Sequence, residues 1–269
     1  MSPESVNEQN LVLTPGGYRS SSLVHEVQGG THLKIGKTNI RAINKITGKS
    51  DYIRAFRFKE EAALFFAGGW ITYAGWDVEN GNLLMRFEAT WVVPPEPQDR
   101  NNQTIFLFNG VQNNGVIYKI LQPVLQWGVA HGNVGGPYWS IASWYVSSND
   151  TAEHTPLIRV NPGDHLKGII TFTGMKGTQF TYICEFEGYS DSLLSIQDDR
   201  ELIWCCLAFE AYDANSCNEY PATDRTPFAN IQIQTRHGSN IIWDPVTNVT
   251  DCNQRCNVIG PDQVDLYYR

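Results

Sequence analysis

The chain has 269 residues, of which 42% are hydrophobic and 18% are charged, and this is enough apolar material for a full hydrophobic core. The formal net charge of −8 argues against nucleic acid as a partner. No stretch approaches 18 consecutive apolar residues, so we expect no membrane span. The first residues lack the basic and then apolar pattern of a secretory signal. We therefore expect a cytoplasmic protein, or a secreted one if a signal was trimmed from it.

Charge is unevenly distributed along the chain. Residues 1–65 contain nine Lys and Arg against six Asp and Glu, which leaves 11 against 22 for the remainder. This basic leader has the composition of turns and short strands, and its one helical candidate is FRFKEEAALFFAGG, residues 56–69. We predict an N-terminal extension at 1–65 that packs on a main domain at 66–269.

From Trp70 onward, short runs rich in β-branched and aromatic residues recur between turn clusters. The clearest runs are LLMRFEATWVV, TIFLFNGV, VIYKILQPVLQWG, YWSIASWYVSS, HLKGIITFTG, TQFTYICEFEGY and ELIWCCLAF. Many strands with little helix and no alternation of strand and helix predict an all-β protein, an antiparallel two-sheet β-sandwich.

Strand alternation assigns three polar side chains to apolar faces. In ILQPVLQWG, Gln122 and Gln126 share one face of an apolar run, where a buried amide destabilises the fold unless it finds partners. In LIWCCLAFEAYD, Glu210 shares a face with small and aromatic residues. A carboxyl in that setting loses its hydration, so we expect its pKa to rise.

The six cysteines all lie in the last third of the chain. Cys205 and Cys206 are neighbours and point to opposite faces of a strand, so at least one is expected in the core. Cys252 and Cys256 are four residues apart, a spacing compatible with a small disulfide loop, and no zinc spacing with histidine accompanies them. No phosphate loop, metal cluster or Ser/His/Asp set stands out, and we predict neither a metal nor a cofactor.

Seven segments follow one another in a recognisable order: ATWVVPP (89–95), FNGVQ (108–112), VLQWG (124–128), SIASWYVSS (140–148), NPGDHL (161–166), CLAFEAYD (206–213) and TPFANI (226–231). In the order and spacing of these motifs the sequence resembles the glutamic peptidases, or eqolisins, over roughly residues 66–235. The resemblance implies a sandwich of the jelly-roll or concanavalin-like kind. It also places the family's catalytic glutamine on Gln126 and its catalytic glutamate on Glu210. In that mechanism the glutamate transfers protons, and the glutamine amide donates to the developing oxyanion.

Three positions depart from the family pattern. Phe108 and Gln112 stand where the peptidases have tryptophan and aspartate, and Ser143 stands where they have glutamate. These departures argue against cleavage of peptide bonds. The remaining candidate substrate contacts in the predicted groove are Gln122, Trp139, Trp144, Trp204 and His131, the last in the Gly-rich loop AHGNVGG.

Three functions from different classes follow. The first is an enzyme that uses Glu210 and Gln126 on a small hydrophobic molecule, since the leader and ILQPVLQWG also resemble signal-less fungal hetero-Diels–Alder enzymes of tropolone–sesquiterpene biosynthesis. That resemblance implies acid-assisted loss of water, followed by cycloaddition. The second is an acid-acting glutamic peptidase whose basic leader is an inhibitory propeptide. The third is a sandwich module that binds carbohydrate through aromatic residues.

Overall fold

A computed structural model describes residues 11–36, 39–45, 47–54, 69–114, 118–130, 134–147 and 151–269. The predicted helix at 56–69 falls outside these residues apart from Gly69, as does the predicted boundary at residue 65. The described part of the chain contains no α-helix and two 3-10 turns, Ser21–Leu23 and Cys217–Glu219. None of its helices is long and apolar enough to cross a membrane.

Twenty-one strands are present in the described residues. In chain order they are β1 (Leu11–Thr14), β2 (Gly17–Ser20), β3 (Val24–Glu26), β4 (Thr31–Ile35), β5 (Asn39–Asn44), β6 (Ser50–Arg54), β7 (Trp70–Asp77), β8 (Leu84–Val92), β9 (Thr104–Gln112), β10 (Lys119–Val129), β11 (Gly135–Ser147), β12 (Ala152–His154), β13 (Ile158–Arg159), β14 (His165–Lys176), β15 (Gln179–Phe186), β16 (Tyr189–Asp198), β17 (Trp204–Tyr212), β18 (Arg225–Thr235), β19 (Asp244–Thr247), β20 (Arg255–Gly260) and β21 (Gln263–Tyr267).

The strands form two large sheets and one small hairpin, which confirms the predicted two-sheet sandwich. The first sheet has nine strands in the order β19-β7-β17-β9-β10-β11-β12-β3, with β13 paired to β11. The second has ten strands in the order β20-β21-β18-β8-β14-β15-β16-β4-β5-β6. The hairpin consists of β1 and β2.

The core lies between the two large sheets because every central strand turns one set of alternate side chains inward. Leu107, Leu125 and Leu207 of the nine-stranded sheet belong to the same fully buried cluster as Phe87 and Ile170 of the ten-stranded sheet. The opposite face of the nine-stranded sheet has a second apolar cluster, which includes Phe106, Phe108, Val124, Trp144 and Ala208. We call this second surface the groove face.

The N-terminal extension supplies edge strands to both sheets. Strand β3 pairs in parallel with β12 at the edge of the nine-stranded sheet, and β4 pairs in parallel with β16 in the ten-stranded sheet. The other strand pairs among the described residues are antiparallel. The consecutive strands β3 and β4 thus belong to different sheets. The N-terminal extension is therefore built into the sandwich as well as packed on it.

The cysteines pair differently from the loop that the spacing allowed. Cys252 forms a disulfide with Cys217, 35 residues earlier, while the Cys256 thiol is free and partly buried. Cys205 lies in the core between the sheets, and Cys206 lies on the groove face. Both are fully buried, so the expectation of at least one core cysteine is confirmed.

Candidate active site

Glu210 and Gln126 lie in one cross-strand row on the groove face. Glu210 of β17 is the register partner of Phe106 in β9, and Phe106 is also the register partner of Gln126 in β10. The two polar residues are thus separated by one strand, about 10 Å between backbones. Phe106, fully buried, fills the space between them. Ser140 of β11 extends the same row beyond Gln126.

The Glu210 carboxyl is completely buried and is bound on one oxygen. Its Oε1 accepts a hydrogen bond from the Tyr212 hydroxyl at 2.5 Å and a second from the backbone N–H of Gly16 at 2.8 Å. Its Oε2 is buried and has no hydrogen-bond partner among the described residues. One oxygen is therefore held by the protein, while the acceptor capacity of the other is unused by the described residues.

Burial raises the pKa of Glu210 from 4.5 to about 7, which is the rise expected from the sequence. The hydrogen bonds from Tyr212 and Gly16 and the positive charge of Arg19 act in the opposite direction and limit the rise. Burial, followed by the neighbouring Glu210, raises the pKa of Tyr212, so this hydroxyl stays protonated and remains a donor. A carboxyl with a pKa near 7 can give or take a proton near neutral pH.

The hairpin β1–β2 covers this carboxyl. Leu13 is buried in the apolar cluster of the groove face, and the ring of Tyr18 packs edge-on against Tyr212 with 6.0 Å between centroids. The Tyr18 hydroxyl donates to Asp213 at 2.7 Å. On the other side of the groove face, Arg19 donates to the backbone carbonyl of Ser147. The hairpin is thereby attached to β17 and to the end of β11.

Gln126 is fully buried, but its amide is oriented differently from the predicted oxyanion donor. Its Nε2 donates to the Gly128 carbonyl at 3.0 Å and lies 3.5 Å from the Val134 carbonyl. Its Oε1 has no partner among the described residues. As placed, Gln126 offers a hydrogen-bond acceptor, because its donor hydrogens are directed at backbone carbonyls.

A glycine bulge produces this orientation. The register of β10 and β11 shifts after Trp127, and Gly128 and Gly135 have φ values of 89° and 109°. A Cβ on Gly135 would lie 2.3 Å from the Gly128 carbonyl oxygen and 2.8 Å from Nε2 of Gln126. The absence of a side chain at residue 135 is what lets the amide approach the backbone there.

Three further polar groups on the groove face lack a hydrogen-bond partner among the described residues. Gln122 and Trp144 are register partners, and the buried Gln122 Oε1 and Trp144 Nε1 have no hydrogen-bond partner in the described part of the chain. Ser140 Oγ is in the same situation. Buried polar atoms are normally paired, so a bound molecule can supply the missing partners on this face. Atoms without a partner among the described residues also occur in the core between the sheets, among them Trp91 Nε1 and Trp139 Nε1.

Aromatic side chains continue the groove face away from the hairpin. Trp204 stacks against Trp70 with 6.1 Å between centroids, and Trp70 packs edge-on against Phe108 and Tyr73. Phe108 is fully buried, while the other three rings are half-buried. Gln112 is the register partner of Trp204 at the same end of the sheet. This part of the face can hold an apolar ring system.

Two predicted substrate contacts lie on the wrong face of their strand. Trp139 packs edge-on against Trp127 in the core between the sheets, 5.5 Å between centroids. Ser143 is fully buried and shares the parity of Trp139 and Ile141 along β11, so its side chain is directed away from the groove face. Both predictions are corrected by strand alternation. His131 lies outside the described residues.

Sequence reasoning did not assign a role to Gly16, Arg19 or Tyr212. Tyr212 was within reach, because it follows Glu210 by two residues on the same strand and therefore shares its face. Gly16 carries no comparable signal, since its contact with Glu210 spans 194 residues. Among the described residues no group of three or more His, Cys, Asp or Glu is arranged to hold a metal.

Comparisons with known proteins gave structural matches. No protein-family model matches the chain, and no curated protein sequence matches it. Among solved structures, scytalido-glutamic peptidase with a transition state analog inhibitor is 15% identical at a TM-score of 0.47, covering 76% of this chain and 99% of that one. SCP-B, a member of the eqolisin family in complex with the tripeptide Ala-Ile-His, is 16% identical at a TM-score of 0.44 with the same coverage.

A β-porphyranase from the human gut bacterium Bacteroides plebeius also matches, at 9% identity and a TM-score of 0.28, covering 93% of this chain and 96% of that one. The first two structures belong to the family that the sequence motifs resemble. At these identities and TM-scores the similarity assigns no activity to the chain.

Proposed function

We propose that the protein is an acid–base enzyme in which Glu210 exchanges a proton with a small, largely apolar molecule on the groove face. The observation that carries the proposal is the buried Glu210 carboxyl, which is bound on Oε1, has no partner on Oε2 within the described ranges and has a pKa raised to about 7. A general acid functions best when its pKa lies near the working pH. The hairpin lies directly on this carboxyl, which favours a compact substrate over an extended peptide.

In the reaction that we propose, Glu210 assists the loss of water from a hydroxymethyl-tropolone. The C–O bond breaks, the hydroxyl leaves as water with the Glu210 proton, and a ring hydroxyl releases the proton that restores the acid. The free Oε1 of Gln126 accepts a hydrogen bond from that ring hydroxyl. The resulting quinone methide then adds to an alkene held against Trp204, Trp70 and Phe108, where orientation alone lowers a bimolecular barrier.

Glu210→Gln tests the role of the acid, because it keeps the shape of the side chain and removes the exchangeable proton. The purified protein is incubated with a hydroxymethyl-tropolone and a sesquiterpene alkene, and the dehydrated adduct is quantified by mass spectrometry. We expect the variant to lose at least about a hundredfold in rate. Glu79→Gln, at an exposed position, is the matched control and should retain the rate. Equal rates in Glu210→Gln and the control would contradict the proposal, and intact ligand binding would then favour a binding module.

A glutamic peptidase is the second candidate, favoured by the single row that contains Glu210 and Gln126. In this case the hairpin on Glu210 would act as the inhibitory part of the leader. Digestion of casein at pH 3, with self-cleavage between the leader and the main domain seen by intact mass, would support it. An intact chain that leaves casein uncut in acid would exclude it. The Gln126 amide nitrogen already donates to the Gly128 carbonyl, and this argues against the oxyanion-donor role that the peptidase reaction requires.

A further inference from the structure

We infer that the hairpin β1–β2 is part of the catalytic site, and that Gly16 and Tyr212 are positioning residues that hold the acidic proton of Glu210 on Oε2. The inference rests on the proposed role of Glu210 as the acid. It adds that the N-terminal extension completes the site, whereas a propeptide would only block it.

The geometry of the donors carries this inference. In a protonated carboxyl one oxygen carries the hydrogen and the other is the better acceptor. The Tyr212 hydroxyl and the Gly16 N–H both donate to Oε1, which disfavours an acidic hydrogen on that atom. In this arrangement the proton of the neutral acid is favoured on Oε2, the oxygen without a partner among the described residues. The two donors thus direct the proton to the free side of the carboxyl.

The turn of the hairpin is built to present this donor. Gly16 and Gly17 have φ values of 90° and 114°, which favour glycine, and the Thr14 hydroxyl donates to the Gly17 carbonyl at 2.8 Å. Pro15 has no N–H, so Gly16 is the first residue after Thr14 that can donate from the backbone. Arg19 donates to Thr14 Oγ1 at 3.2 Å and to the Ser147 carbonyl, which fixes the turn against the sheet.

Few ionisable groups face the carboxyl from the surrounding elements. On its own strand these are Tyr212 and the buried thiol of Cys206, and on the hairpin they are Arg19 and Tyr18, whose hydroxyl is bound to Asp213. The neighbouring strands contribute Phe106 and Gln126 to the row, and neither of these titrates. Tyr212 is therefore the ionisable side chain, within the described residues, that donates directly to Glu210.

The first test follows the titration of Glu210 by NMR in protein labelled with ¹³C at the glutamate carboxyls, with Glu210→Gln used to assign the signal. Tyr212→Phe removes one donor to the carboxylate, so we expect the Glu210 midpoint to rise by about one pH unit. Tyr18→Phe is the matched control, because it removes a hydroxyl of the same hairpin that donates to Asp213. The control should leave the midpoint unchanged.

The second test observes the Gly16 contact directly in the wild-type protein, with Glu210→Gln as the reference. We expect the amide proton shift of Gly16 in the wild-type protein to change with pH at the Glu210 midpoint, and to stay constant over that range in Glu210→Gln. A constant Gly16 shift in the wild type, or a midpoint that Tyr212→Phe leaves in place, would overturn the inference. Neither measurement uses turnover, so the inference can fail while the loss of activity in Glu210→Gln still supports the proposed function.

Discussion

At the scale of single residues, the raised pKa of Glu210 has a consequence for stability. Its folded-state pKa of about 7 exceeds the value of 4.5 in the unfolded chain, so between these pH values the folded protein binds more protons. The contribution of this group to stability is therefore fully present below about pH 4.5 and is lost as the pH rises through 7. Above that, the folded state must bury a charge.

Glu210→Gln should remove this loss of stability at high pH, because glutamine resembles the neutral acid and can accept the same two hydrogen bonds. We expect the variant to be more stable than the wild type at pH 8, by on the order of 3 kcal/mol at most, and to match it near pH 4.5. Urea unfolding at both pH values measures this difference, and Glu79→Gln should show none. A variant that is less stable than the wild type at pH 8 would show that the charged carboxylate is stabilising.

Sequence alternation correctly assigned residues to faces but could not predict which atoms they bind. The alternation of side chains along a strand predicts groove-face positions for Gln122, Gln126 and Glu210, and the structure brings all three side chains to one surface. The orientation of the Gln126 amide depends on backbone carbonyls at Gly128 and Val134, whose positions depend on the bulge. Ser143 was misassigned because its position in the motif selected it, and Trp139 because it is an aromatic residue in the stretch predicted to form the groove; the parity of their strand was not used for either.

At the scale of elements, the bulge between β10 and β11 determines where the Gln126 amide lies. Gly135→Ala would combine a left-handed backbone with a Cβ placed 2.3 Å from the Gly128 carbonyl oxygen. We expect a loss of at least about 3 kcal/mol in the free energy of unfolding, measured by urea denaturation. Gly163→Ala is the matched control, since Gly163 also has a positive φ, of 90°, but has open space around its Cβ position. It should cost about 1 kcal/mol. Equal losses of stability in the two variants would show that the Gly135→Ala protein relieves the close contact between the new Cβ and the Gly128 carbonyl oxygen.

The strands of the main domain were predictable from local sequence, whereas the pairing of the leader was not. LLMRFEATWVV and TIFLFNGV carry β-branched and aromatic residues between turn signals; β8 lies within the first run, and β9 spans the second and ends one residue after it. The parallel partners of β3 and β4 lie more than 100 residues further along the chain. Nothing in the local composition of the leader specifies such partners, because parallel pairing depends on the whole fold.

At the scale of the whole molecule, the leader closes edges of both sheets and covers the candidate site. Val24, Leu33 and Ile40 of the leader are buried against the sandwich. Burying side chains of this size stabilises a protein by about 2 kcal/mol each, which is comparable in sum with the total stability of many domains. A leader that is buried in this way is expected to be an integral part of the fold. Removing the leader therefore distinguishes the two candidate enzymes by experiment.

A chain of residues 69–269 should therefore associate or unfold, because it exposes the edges at β12 and β16 that β3 and β4 cover. A chain that begins at residue 21 is the matched control: it lacks the hairpin, keeps both edge strands and should elute in the same association state as the full chain. Size-exclusion chromatography and thermal unfolding of the two chains measure this difference. If the 69–269 chain were instead monomeric, stable and able to digest casein at pH 3, the leader would be a removable propeptide. The peptidase function would then replace the one proposed here, because Glu210 would be active without Gly16.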